Sequence, residues 1–367
     1  MEKIKMDKQQ IDPWGSLKLE NYEHIFKEFG LNKFEDYSLT DNYLFQRKII
    51  IAERDFQKIK TAIKNKTKFA QITGIASSGD LHLGHKLDID YYKLFKKLGA
   101  KSKFAVCDID GYVSRQDTKI ENIQKAKEFA VKNTADIIAL GVPPEEIYVQ
   151  SQQKPHYYQL CFEASKKITE NMFNAIYGHN DFGKISAVLL QISDILHIQL
   201  PEEFGKCPTI TGIGLEQDPH ARITRDLAKR LNYDFEVPSF FYFTHQSGLK
   251  ENSKMSSSDP DTAIFLGDTE KDINKKINKA FSGGRLTIEE QKQKGGQPEI
   301  CKVYEIFKFH NPDSKFVQET YSQCKSGKLM CGGCKNNCIS FLTEMLKQHQ
   351  EKAKEALPIA KKIVYGK

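Results

Sequence analysis

The chain has 367 residues, 39% of them hydrophobic and 28% charged, with a formal net charge of +7. These are the proportions of a globular protein large enough for two structural units, and no apolar run approaches the ~20 residues of a membrane span. The opening stretch "MEKIKMDKQQ" lacks the apolar core of a secretory leader, so a cytoplasmic location without membrane contact is expected.

Residues 1–66 are rich in charge and read as helical after Asn21. "TKFAQITGI" (67–75) reads as a buried strand, apolar and β-branched up to a glycine. In "HLGHKLDIDYYKLFKKLG", Leu83, Leu87, Tyr91, Leu94 and Leu98 recur at helical spacing. "SKFAVCDID" gives a second strand, Asp117–Leu140 a long amphipathic helix and "EIYVQS" a third strand. Residues 155–200 are mainly helical; "CPTITGIG" (207–214) resumes the sheet and "EQDPHARITRDLAKRL" returns to helix. From about Lys271 onward the pattern is helical only. The alternation predicts an α/β fold, a Rossmann-like doubly wound parallel sheet with a helical insertion and a C-terminal α-helical domain. The expected division is an N-terminal extension (1–66), a catalytic domain (67–266, insertion at about 151–206) and a helical domain (267–367).

His82 and His85 open the helix after the first strand, where free backbone N–H groups and the helix dipole favour phosphate. Gly84 lies between them, and Gly74, Ser77, Ser78 and Gly79 make the preceding turn open and permissive. Far along the chain, "KMSSS" supplies a lysine, Lys254, followed by Met255 and the hydroxyls of Ser256 and Ser257. Eight cysteines in a chain without an export signal argue against disulfides and for metal spacing. Cys301, Cys324, Cys331 and Cys334 follow C-x22-C-x6-C-x2-C, which suits a tetrahedral zinc or an iron–sulfur cluster alike. Cys338 reads as a spare, and Cys107, Cys161 and Cys207 as small buried apolar residues.

H-x-G-H after the first strand, paired with K-M-S-x-S after the last, resembles the signature of class I aminoacyl-tRNA synthetases. "DPWG", "ITGIASSGDLHLGH", "LLQISDILHIQL", "GLEQDPHARITRDLA" and "AFSGGRLTIEEQKQKGGQPE" further resemble the archaeal and eukaryotic tryptophanyl-tRNA synthetases. The resemblance implies activation of tryptophan by ATP with Mg²⁺, then transfer to tRNA(Trp). His82, His85 and Lys254 would be catalytic, and Gly74, Ser78, Gly84, Gly214, Glu216, Gln217, Met255, Ser256 and Ser257 would bind ATP. Ile72, Asp110 and Gln191 would meet the tryptophan, whose indole offers one N–H donor and so needs a buried acceptor. Three positions depart from the family pattern: Asp110 stands where a glutamate is expected, Ile72 where eukaryotic members place tyrosine, and Glu216 where an aspartate is usual. The four-cysteine spacing is similar to that of a [4Fe–4S] site in some members, with Zn²⁺ as the alternative. The resemblance also implies a homodimer, and a C-terminal domain that reads the anticodon, with Lys325, Lys328 and Lys335 available to phosphate. A tyrosyl-specific enzyme of the same branch, a non-catalytic RNA-binding relative and a small-molecule adenylyltransferase stay open beside it.

Overall fold

The computed structural model describes residues 26–27, 29–114, 120–178, 181–256 and 259–366. Two strands come first, β1 (Asn32–Lys33) and β2 (Ile50–Arg54), with helices α1 (Tyr43–Gln46) and α2 (Phe56–Asn65). The core then alternates β3 (Ala70–Ala76), α3 (Leu83–Lys97), β4 (Lys101–Cys107), α4 (Asp108–Val113), α5 (Ile123–Ala139) and β5 (Ile147–Val149). Three helices follow, α6 (Pro155–Ser165), α7 (Glu170–Tyr177) and α8 (Phe182–His197). After them come β6 (Thr209–Gly214), α9 (Asp218–Arg230) and β7 (Ser239–Phe243). The remainder is helical: α10 (Glu270–Lys279), α11 (Ile288–Lys294), α12 (Lys302–His310), α13 (Ser314–Lys325) and α14 (Cys331–Tyr365).

The sheet runs β1-β2-β7-β6-β3-β4-β5. Its five strands from β7 to β5 are parallel, while β2 and β1 add antiparallel at one edge. The chain leaves β3 toward β4 on one side and later returns to β6 on the other. The β3/β6 junction is therefore the switch point, the crevice where ligands of open α/β sheets bind.

Side-chain alternation sorts the two faces. Phe241 and Phe243 of β7 pack with Leu87, Tyr91 and Phe95 of α3, whereas Phe240 and Tyr242 pack with Ala221 of α9 and Ile195 of α8. The C-terminal helices share a core with the sheet domain: Phe307 and Leu342 cluster with Phe104, Val106 and Ala135. The motif "QDPHARITRD" has a structural explanation. Asp218, fully buried, accepts from Arg54 Nε at 2.9 Å and Tyr242 Oη at 2.6 Å, and pairs with Arg222 one turn on at 3.2 Å. Two cations and a hydroxyl offset the cost of burying that charge.

Three expectations need correction. The helical reading after Asn21 fails over β1 and β2, where the β-branched run Ile49–Ile51 finds an open edge at β7 to pair with. The helix expected from Asp117 begins at Ile123, because the Asn122 side chain caps it by accepting from Lys125 N at 2.9 Å. Asp110 does not end a strand: β4 stops at Cys107, and Asp110 sits in the first turn of α4.

Candidate active site

The switch point opens into a cleft of about 1490 Å³. Ile72, Gly74, Ser78, His82, Gly84, His85, Asp110, Gln191, Glu216, Gln217, Lys254, Met255 and Ser256 all line it. Gly214 lies between two lining residues, Ile213 and Leu215. Ser257 and the "DPWG" stretch fall outside the described residues.

At the N-terminus of α3, the His82 side chain accepts from Gly84 N through Nδ1 at 3.1 Å. His85 Nδ1 in turn accepts from His82 N at 3.1 Å, and the two rings lie 4.0 Å apart. An imidazole that accepts through Nδ1 carries its proton on Nε2, so both rings are fixed as N–H donors. Burial, aided by the charge of His245, pushes the His82 pKa down to about 4, which leaves that ring neutral at pH 7. Gly84 is required for a reason the motif alone did not suggest: a Cβ there would stand 2.8 Å from the His82 ring and unseat the cap. Gly74 belongs to β3 rather than to a turn, and a Cβ on it would meet Ala105 Cβ of β4 at 2.7 Å.

Lys254 pairs with Ser247 across a short antiparallel bridge, closed by Gly248 N donating to Ser253 O at 2.8 Å. Met255 is buried in the core and Ser256 N donates to Thr262 Oγ1 at 3.3 Å. A second bridge, His82 to Phe265, fastens the following segment to the histidine end of the cleft.

At the other end stands a buried acceptor, Asp194, which the sequence pairs with Gln191 in a pattern that suits a tyrosyl enzyme as well as a tryptophanyl one. Asp194 on α8 is buried and lines the cleft beside Ile72, Ala105, Cys107 and Gln191. It accepts from Tyr148 and Tyr157 hydroxyls at 2.7 Å each and from Gln150 Nε2 at 2.7 Å, with Cys107 Sγ at 3.9 Å. Burial raises its pKa to about 6 even against those donors. Asp110, by contrast, donates its backbone N–H to Gln150 Oε1 at 3.0 Å and is part-buried. The clue was present in "LLQISD", where an aspartate follows an apolar helical run, but the sequence does not show which donors fold over it. Cys107 is thus more than filler, and Cys161 is half-buried rather than buried. The Thr211 hydroxyl of β6, also on the cleft wall, is buried and makes no hydrogen bond within the protein.

On the β6 side, Glu216 Oε1 lies 2.9 Å from His245 Nε2. Burial works against both charges, yet the pairing holds Glu216 below the usual carboxylate range and lifts His245 to about 9. Asp88 of α3, close by, is pushed up to about 7 by burial. The loop after His245 is held by α12: Ser247 donates N–H and Oγ–H to the two oxygens of Glu305 at 2.8 and 2.6 Å, and Gln246 Oε1 meets His310 Nε2 at 2.5 Å.

About the cysteine set, Cys301, Cys324, Cys331 and Cys334 line one small cavity. Burial, then the closeness of the other thiols, pushes Cys324 up to about 11 and Cys334 to about 12. Gly284 and Gly296 give the thiols room, since a Cβ on either would stand 2.7 Å from Cys331 or Cys324 Sγ. Among the described residues no group of three or more His, Cys, Asp or Glu is placed to hold a metal ion. The four thiols share a cavity without forming a ready ligand shell. Two of the interleaved lysines are engaged elsewhere, Lys325 with Glu299 at 2.8 Å and Lys335 with the Asn278 carbonyl at 2.7 Å. Among the described residues no helix is long and apolar enough to cross a membrane.

A five-strand parallel sheet with imidazole donors at its first crossover helix and a lysine hairpin across the crevice defines a nucleotide-using α/β enzyme. The comparisons narrow this. The family described as tRNA synthetases class I (W and Y) matches residues 64–347. Tryptophan–tRNA ligase from Methanocaldococcus jannaschii is 38% identical over 99% of this chain and 100% of the relative. The one from Aeropyrum pernix is 36% identical over 98% of this chain and 99% of the relative. The crystal structure of tryptophanyl-tRNA synthetase from Aeropyrum pernix K1 superposes with a TM-score of 0.87, covering 96% of this chain and 98% of that one. Plasmodium falciparum tryptophanyl-tRNA synthetase gives 0.82 at 28% identity, over 93% of this chain and 97% of that one. The chain belongs to the class I tRNA synthetases of the tryptophan and tyrosine branch.

Proposed function

We propose that the chain is a tryptophan–tRNA ligase, which joins tryptophan to ATP as tryptophanyl-adenylate and passes the aminoacyl group to tRNA(Trp). The observation that carries this reading is one cleft walled by the His82–His85 pair and the Lys254 hairpin, with the buried carboxylate of Asp194 at its far end. The tryptophan carboxylate attacks the α-phosphorus; a carboxyl–phosphate bond forms and the bond to pyrophosphate breaks. The nucleophile is already ionised at pH 7, so alignment and donors carry the catalysis rather than a strong base. Neutral Nε2–H donors at His82 and His85 meet phosphate oxygens without repelling each other at 4.0 Å. Lys254 and Ser256 hold the departing pyrophosphate, and Mg²⁺ accompanies ATP as its counter-ion. Gly74, Ser78, Gly84, Gly214, Glu216, Gln217 and Met255 complete the ATP wall.

Asp194 receives the indole N–H, Gln191 and Asp110 face the substrate's polar end, and Ile72 packs against the ring. Polar pairing at Asp194 discriminates against apolar amino acids without an editing step. The helices beyond residue 267 read the anticodon, the insertion between 151 and 206 lies at a homodimer interface, and the enzyme works in the cytoplasm.

The four cysteines are proposed to hold a [4Fe–4S] cluster or a Zn²⁺ ion. Their spacing, common cavity and flanking glycines support this. Either group would pin α14 to α13 and the N-terminus of α12. Metal analysis with a visible spectrum separates the two: a brown protein with bound iron against a colourless one with bound zinc.

ATP–pyrophosphate exchange with tryptophan and tyrosine in parallel tests the main reading. Exchange with tryptophan is expected, and exchange with tyrosine alone would replace it by the tyrosyl alternative. Lys254→Ala is expected to lower the exchange rate by roughly 10²–10³.

A further inference from the structure

The cleft holds an ion pair whose cation no signature motif supplies. His245 lies two residues beyond β7 and belongs neither to the H-x-G-H nor to the K-M-S-x-S element. Its Nε2 meets Glu216 Oε1 at 2.9 Å, and a Cβ on Gly214 would lie 1.9 Å from that nitrogen and 2.4 Å from the carboxylate oxygen. The pair therefore rests directly on the backbone at the end of β6, on the nucleotide side of the switch point. One face of the ring is open to the cleft, with 47% of the side chain accessible, while Phe243 packs on it edge-on at 5.3 Å. The two residues that follow are locked to α12 through Glu305 and His310. His245 is thus a rigid arm laid on a longer, more flexible one.

That flexibility supplies the reason. Glutamate has one more rotatable bond than aspartate, and the fold gives it no strand or helix interior to stiffen it: Glu216 lies in a single short turn, residues 215–217. A carboxylate offers about four acceptor positions, so a hydrogen bond at Oε1 fixes the group and leaves acceptor capacity for another donor. We propose that His245 is a positioning residue that locks the Glu216 carboxylate in place to receive the hydroxyls of the ATP ribose. This rests on the tryptophan–tRNA ligase reading for the identity of the nucleotide. Titratable groups face the ring from each neighbouring element: the acids Glu216 before α9 and Asp88 on α3, the neutral His82 ring at the cap of α3, and Lys254 on the hairpin. The acids outweigh the lysine, so His245 stays protonated at neutral pH and loses its charge as pH rises through about 9.

The test compares wild type with His245→Ala, His245→Gln, Glu216→Gln and the His245→Ala/Glu216→Gln double variant. ATP–pyrophosphate exchange gives KM for each substrate, and calorimetry gives ATP binding without tryptophan. His245→Ala is expected to raise KM for ATP and Kd for ATP roughly tenfold, the loss of one charge-assisted bond, with KM for tryptophan unchanged. His245→Gln keeps an N–H donor and should recover most of this. It should also abolish the rise in wild-type KM for ATP between pH 8 and 10 (about one unit either side of the His245 value). In the Glu216→Gln background, His245→Ala should add little. Equal increases in both KM values, additive single effects, or no rescue by glutamine would overturn the proposal. A wild type that binds ATP but exchanges with neither amino acid would instead sink the functional reading, and the calorimetry would still read His245.

Discussion

Asp194 collects three strong hydrogen bonds and one weak thiol contact on a single carboxylate. Such a group is costly to bury and is retained where its last acceptor site matters. Asp194→Asn turns one oxygen into a donor facing donors, and is expected to lower kcat/KM for tryptophan by about 10²-fold while sparing KM for ATP. The sign of its pH dependence follows from burial. With the pKa raised to about 6, the carboxyl takes a proton as pH falls through 6 and loses acceptor capacity. KM for tryptophan should therefore rise between pH 7 and 5, and the rise should be absent in the asparagine variant. That His82, Gly84, His85 and Lys254 meet in one cleft was readable at this scale, because histidine, glycine and lysine at fixed offsets have few other uses. The amino-acid end was less so: Asp194 and Asp110 are the same residue type, and only the tyrosines folded over Asp194 from β5 and α6 tell them apart.

At the scale of elements, α12 is the joint between the helical region and the adenylation cleft. Glu305 grips both polar groups of Ser247, and Arg47 closes the other end of the same helix by donating to the carbonyls of Lys308 and Asn311 at 2.9 and 2.7 Å. Arg47→Ala should cost about 2 kcal/mol of stability, measured by denaturant unfolding, since several charge-assisted bonds go at a part-buried site. Glu305→Ala should act differently. It frees the loop that leads to Lys254, and KM for ATP is expected to rise roughly fivefold with little change in melting temperature. Helices α3, α5 and α9 were legible because their apolar spacing runs over three turns or more. β1 and β2 were not: in "KIIIAE" four apolar residues run on without alternating, too few to announce a strand, and the partner β7 lies about 190 residues away. Pairing at that range is decided by the open sheet edge, not by local preference.

Across the whole molecule, the C-terminal helices are continuous with the catalytic core rather than tethered to it. Helix α14 packs along α5, and buried His349 Nε2 meets Asp136 Oδ1 at 2.9 Å between them. Composition predicted two units, and it could not show that they share one apolar core. The cysteine cavity lies in the same region. On the proposed metal reading of the four cysteines, Cys331→Ser should hold less metal on elemental analysis and melt about 5 °C lower, with tryptophan-dependent exchange at 25 °C largely kept.

Cys301 is the residue immediately before α12, and Glu305 comes one turn later. Anything that displaces that thiol, an oxidant included, tugs the helix whose next turn steadies the Lys254 hairpin. Damage inflicted far from the chemistry would then surface as a poor grip on ATP, with recognition of the amino acid intact.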